Sequence, residues 1–239
     1  LFIGHSFFRP IAEQMSFHAP NAGFADHTQS TVFSGGASGA PKALWDNPTK
    51  RAKIQAALDD GQTELFGMTY HPDHPTLEGY QNWIDYALAR NPATTFFVGF
   101  PWLTSPGSVD AGTYRTTWQG AYDTIAKRIV DDLRLNYPGV VIFSIPYGRA
   151  AVELYTLFAA DALPDAESLV SSDSRGIFSD DFGHPDAILR ELSALVWLRA
   201  IYGVEISRYD YDPGYETDLK AMADAIMAGH DSRYDASWC

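Results

Sequence analysis

The feature of this 239-residue chain that most constrains its fold is an alternation of two patterns. Short apolar runs at residues 1–3, 31–33, 65–69, 94–100 and 140–145 are separated by longer stretches with helical spacing. The runs are β-branched or aromatic and nearly unbroken, as strands buried on both faces of a parallel sheet should be. Among the helical stretches, the clearest places Trp118, Tyr122, Ile125, Ile129 and Leu133 three or four residues apart, one apolar stripe on one face. Others span residues 76–89 and 185–202, the latter with Pro185 in its first turn, where a fixed φ suits a helix. Strand then helix, repeated, predicts an α/β sandwich with a parallel sheet of about five strands. No repeat, low-complexity tract or Ser/Gly linker interrupts residues 1–206, which are read as one domain. Residues 207–239 are more acidic and aromatic, with a short helix expected over 216–228, and are read as an appendage packed on that domain.

Composition narrows the partners. Seventeen Lys plus Arg against thirty Asp plus Glu give a formal charge of −13, and there is no basic run, which argues against nucleic acid. No stretch approaches 18 uninterrupted apolar residues, so no membrane-spanning helix is expected. The single cysteine, Cys239, excludes an internal disulfide and a thiolate zinc cage. Residues 1–3 read as a strand already under way, so residues are expected to precede them, either removed or disordered, with a signal peptide one candidate for that segment. A secreted or periplasmic location is favoured over a cytoplasmic one.

In an open parallel sheet ligands sit beyond the carboxyl ends of the strands, so chemistry is sought in the loops that follow them. After the first run comes Gly4-His5-Ser6-Phe7. A serine at a strand-to-helix junction exposes its hydroxyl near a helix N-terminus, although Ser also suits that place as a simple cap. After the second run, Ser34-Gly35-Gly36-Ala37-Ser38-Gly39 can bring a backbone N–H to a developing oxyanion, or can be an ordinary tight turn. Ahead of the last long helix stands Asp181-Phe182-Gly183-His184. Asp181 can curl back to accept the His184 Nδ1 proton and leave Nε2 free as a general base; Asp180 ranks second for that role. Nucleophile, oxyanion donor, base and orienter occurring in this order point to a serine hydrolase. His71-Pro72-Asp73-His74 does not suit one metal ion, because its ligands lie too close together in a Pro-broken loop.

These segments together resemble the SGNH, or GDSL-like, hydrolase superfamily over nearly the whole chain. Gly4-His5-Ser6-Phe7 resembles its first block, with His5 where Asp or Asn is more usual. Ala37-Ser38-Gly39 resembles the second block, and Asp181-Phe182-Gly183-His184 matches the last. The resemblance implies a three-layer, flavodoxin-like α/β/α sandwich and ester hydrolysis without a cofactor. It implies Ser6 as nucleophile and Ser6 and Gly39 as backbone oxyanion donors. The third block departs from the pattern: where the family has G-x-N-D, this chain reads Gly67-Met68-Thr69-Tyr70-His71, with no Asn. His71, or second Thr69, is expected to replace that donor.

Aromatic residues make up 14% of the chain, and Phe7, Phe8, Trp45, Tyr70, Trp102 and Tyr147 fall in the expected site loops. Aromatic faces stack on sugars and equally line acyl pockets. A carbohydrate esterase acting on an acetylated glycan is the first expectation. A small-acyl esterase or thioesterase is the second, and a non-catalytic carbohydrate-binding relative the third.

Overall fold

The computed structural model describes residues 1–236; Cys239 lies outside the described residues. Five strands, β1 (Phe2–Gly4), β2 (Thr31–Phe33), β3 (Leu65–Thr69), β4 (Thr95–Gly99) and β5 (Ile142–Ile145), form one parallel sheet in the order β2-β1-β3-β4-β5. The sheet is flanked by helices, so the chain is an α/β protein with a three-layer arrangement. Strand order reverses direction between β1 and β3, the switch point at which open sheets of this kind leave a crevice.

The central strands show why both faces must be covered. Phe96 and Phe97 are adjacent in β4, so their side chains leave opposite faces of the sheet, and both are fully buried. Phe96 packs on Phe66, whose ring meets Trp83 of helix α4 (Glu78–Leu88) edge-on. Phe97 meets Trp197 of helix α8 (Ala187–Tyr202) with ring centroids 5.1 Å apart, and Phe2 and Phe8 converge on the same indole. A Trp anchor on each side, contributing aromatic edge contacts beyond its buried area, fixes both helical layers to the sheet. Helix α1 (Arg9–Asn21), which carries Ser6 on its approach, packs along α8.

In the remaining chain order, α2 (Pro41–Asp46) and α3 (Pro48–Leu58) follow β2, and α5 (Ala111–Ala121) and α6 (Lys127–Asn136) lie between β4 and β5. The helix expected around Trp118 to Leu133 is α5 and α6 joined by one π turn, Tyr122–Ala126. That turn changes the expected stripe: Ala126 is fully buried, and Ile125 is only partly so. Helix α7 (Arg149–Ala159) follows β5, and α9 (Leu219–Ala228) packs on α8. Between α7 and α8 lies a small parallel pair, β6 (Ser168–Val170) and β7 (Gly176–Phe178). The sequence reading places no strands there.

Candidate active site

The loops after β1, β2, β3 and β4 and the segment before α8 meet at the carboxyl end of the sheet. Ser6 Oγ lies 2.9 Å from His184 Nε2, and His184 Nδ1 lies 2.6 Å from Asp180 Oδ2. The expected serine and histidine therefore come together across 178 residues of sequence. The expected carboxylate does not: Asp181 is exposed and makes no side-chain hydrogen bond to His184, and Asp180 takes the place.

The backbone explains the exchange. Asp180 Oδ1 accepts the N–H groups of both Gly183 and His184 at 3.0 Å, so its carboxylate sits inside the turn while Asp181 faces out. Gly183 has φ +104°, which L side chains rarely adopt, and this opens the turn so that a histidine four residues on, rather than three, meets the carboxylate. Partial burial pushes the Asp180 carboxyl up, but the His184 N–H, the imidazole and the Gly183 N–H outweigh it, and the group stays below its ordinary value, ionised. The turn is fastened from outside by the Trp102 indole N–H to Gly183 O at 2.8 Å and by the Ser105 N–H to Phe182 O at 3.0 Å.

His5 locks the other side. Its Nε2–H donates to Tyr70 O at 3.0 Å and its Nδ1 accepts the Phe7 N–H at 3.2 Å, which fixes the tautomer by the partners it has. Burial drives its pKa down to about 4, so the ring is neutral. A neutral imidazole here ties the Ser6 loop to the end of β3. Phe7, between the two histidines, stacks on Trp102 at 5.2 Å and meets His184 edge-on at 5.4 Å, which limits rotation of the His184 ring.

The residues expected around an oxyanion are placed unequally. Thr69 is fully buried and its hydroxyl is engaged by His5 Nε2 at 3.3 Å and Gly99 O at 3.4 Å, so it is not available to a ligand. His71 lines the same cavity as Ser6; its Nδ1 accepts the Asp73 N–H at 3.2 Å, which leaves the proton on Nε2 as a donor. Burial lowers the His71 pKa, again favouring the neutral ring. Gly39 lies against the end of β1, so tightly that a Cβ on it would stand 2.6 Å from Gly4 O and 2.7 Å from His5 Cα. Gly39 is buried, and the part of its turn that lines the cavity is Gly36 and Ala37. Among the described residues, the backbone N–H groups of Ser6 and Ala37 have no hydrogen-bond partner.

The cavity at Ser6 has a volume of about 480 Å³. Of the aromatics expected near the site, Phe7, Tyr70 and Trp102 line it, and Phe8 and Tyr147 belong to the core. Trp45 packs on Trp83 instead. The sequence reading does not place Phe100, Leu103, Ala121, Ile125 and Phe182 in the lining, which also includes Pro72, Asp73, Pro101 and Thr104. The spacing of Ala121 and Ile125 looks like that of any buried helix face. Among the described residues no three of His, Cys, Asp and Glu converge on a point that could hold a metal ion, and no helix is long and apolar enough to cross a membrane.

No protein-family model matches the chain, and no curated protein matches it. Its architecture is similar to the crystal structure of a DUF4886 family protein from Bacteroides uniformis, with TM-score 0.60 and 16% identity over 95% of this chain and 93% of that one. At that identity the likeness concerns the fold.

Proposed function

We propose that the chain is a serine esterase of the SGNH type. The observation that carries this reading is the Asp180–His184–Ser6 chain, with contacts of 2.6 and 2.9 Å, ending at the mouth of a cavity of about 480 Å³. In the proposed cycle Ser6 Oγ attacks the ester carbonyl carbon as its proton passes to His184 Nε2. The carbonyl oxygen becomes an oxyanion facing the free N–H groups of Ser6 and Ala37 and the Nε2–H of His71. The C–O bond to the alcohol then breaks, the alcohol takes the proton from His184 Nε2, and the acyl group remains on Ser6 Oγ. Water repeats the sequence with the same base and releases the carboxylic acid. Asp180 holds the Nδ1 proton and stabilises the imidazolium throughout. Every step is supplied by side chains and water, so the cycle needs no cofactor.

The side chains of His184 and Asp180 are 38% and 47% exposed. The alcohol therefore leaves toward solvent, and a bulky alcohol, such as a glycan hydroxyl, fits that side as well as a small one does. The test is covalent: a fluorophosphonate should label Ser6, located by peptide mass spectrometry, and the labelled protein should no longer hydrolyse p-nitrophenyl esters. Absence of label at Ser6 with intact folding would refute the esterase reading and favour a binding role.

A further inference from the structure

We infer that the acyl group this site takes is several carbons longer than acetyl, that the cavity beside Ser6 is its pocket, and that Ala121 and Ile125 set the length it accepts. The inference rests on the esterase reading and adds the substrate class to it. A volume of about 480 Å³ would hold roughly sixteen waters at about 30 Å³ each, far more space than a methyl group fills. Its walls are built from Tyr70, Phe100, Trp102, Leu103 and Ile125.

Two of the polar groups on these walls are already engaged. The Trp102 indole N–H is given to Gly183 O, and both ring nitrogens of His5 are taken by Tyr70 O and the Phe7 N–H. Against the aromatic and aliphatic wall a sugar would find few partners for its hydroxyls, whereas methylene groups gain there from leaving water. The apolar wall of the cavity thus suits the acyl half of an ester, and the exposed His184, which does not line the cavity, suits the alcohol.

The position of the wall follows from the π turn. Ala121 and Ile125 are four residues apart and share one helix face, which borders the cavity. With Ala126 in the core, Ile125 is released to the cavity wall. The turn is pinned from behind, because the Tyr122 hydroxyl lies 2.6 Å from Ser144 Oγ and 2.6 Å from His230 Nε2. Straightening the turn into an α-helix would pull Tyr122 off both partners. A π turn beside a ligand site is a common use of that geometry, and here it presents the side chains that close the pocket.

The experiment is a series of p-nitrophenyl esters from acetate through butyrate and hexanoate to decanoate, with fluorophosphonate labelling of Ser6 run in parallel. Each buried methylene should raise kcat/KM by roughly fourfold until the wall is met, so hexanoate should exceed acetate by on the order of a hundredfold. Ile125→Trp should lower the hexanoate-to-acetate ratio at least tenfold, and Ile125→Ala should move the optimum to a longer chain. If Ser6 is labelled and acetate, or an acetylated xylooligosaccharide, is the best substrate, the pocket proposal is overturned while the esterase reading stands. If Ser6 is not labelled and no ester is cleaved, the reading fails and the proposal falls with it. The wild-type series decides the question even if a variant fails to fold.

Discussion

Two Asp–His–hydroxyl chains of nearly equal geometry occur in this molecule. In one, Asp180, His184 and Ser6 are linked at 2.6 and 2.9 Å. In the other, Asp235, His230 and Tyr122 are linked at 2.5 and 2.6 Å, and the phenol continues to Ser144 at 2.6 Å. What separates them is access. The His184 side chain is 38% exposed beside a cavity, and that of His230 is 2% exposed. Both chains border a cavity, of about 480 Å³ at Ser6 and about 460 Å³ at Tyr122 and His230, but Ser6 ends its chain, whereas the Tyr122 hydroxyl has a partner on each side and burial raises its pKa so that it keeps its proton. Hydrogen-bond lengths alone would class both as catalytic; an open hydroxyl with free donors nearby singles out the first.

The same substitution in the two chains should break this comparison most sharply. Asp180→Asn keeps the shape but lets the imidazole settle in the wrong tautomer, and kcat should fall by about ten-thousandfold with little change in unfolding. Asp235→Asn should change kcat by no more than a few-fold and lower stability by on the order of 1 kcal/mol, the size of one hydrogen bond. Asp181→Asn serves as the control at the site and should be nearly silent. Strong loss from Asp181→Asn with a mild Asp180→Asn would return the orienting role to the residue that the sequence spacing favours.

That exchange of carboxylates shows how far the sequence could be read. Strands at 31–33 and 65–69 are seen with the bounds that their short, nearly continuous runs predict. Ser6 and His184 were legible because each sits at the end of a regular element, where the fold class alone says a ligand would go. Asp180 was not legible, since the choice between adjacent carboxylates depends on the positive φ of Gly183, which no spacing rule reveals. Ile125 was misplaced for a related reason: an ideal helix puts it in the Trp118–Leu133 stripe, and one π turn moves it to the cavity. Gly39 could be recognised as a required glycine, but whether it serves as donor or as packing depends on backbone contacts with Gly4 and His5.

His5 allows a second, smaller test, because it belongs to the open site yet is as buried as His230. Its folded pKa is about 4 against an ordinary 6.5. Above pH 6.5 the ring is neutral folded and unfolded, and it contributes no pH dependence. Between pH 6.5 and about 4 the unfolded chain binds a proton that the folded protein refuses, so stability falls with falling pH, by about 3 kcal/mol over the window. Urea unfolding at a series of pH values should show a steeper fall of stability between pH 6.5 and 4 in the wild type than in His5→Asn, the remainder coming from the other groups whose folded pKa is lowered, the buried Leu1 amine and His71 among them. Equal slopes in the two proteins would mean that His5 is not held neutral.

Next in size is the donor that stands where an Asn is usual. If His71 Nε2–H faces the oxyanion, His71→Ala should lower kcat by about a hundredfold and leave KM little changed, since the donor is used mainly in the transition state. Thr69→Val should act on stability instead, because its hydroxyl is engaged with His5 and Gly99. A crippled Thr69→Val with a silent His71→Ala would reverse that assignment.

The smallest expected effect comes from the closed chain. Tyr122→Phe keeps the ring that stacks on Trp118 at 5.2 Å and meets Phe100 at 5.6 Å, so the π turn retains its apolar contacts. What it removes is the oxygen shared by Ser144 and His230, leaving two polar groups with one partner fewer. A loss of about 2 kcal/mol is expected, read as a shift in urea midpoint at unchanged slope. The rate of fluorophosphonate labelling at Ser6 should stay within about fivefold, because no atom of Tyr122 reaches the Ser6–His184 pair and the protonated phenol has no role in the cycle. If labelling collapsed by two orders of magnitude while the midpoint scarcely moved, the two chains would be one coupled system. The distinction drawn from access would then be wrong.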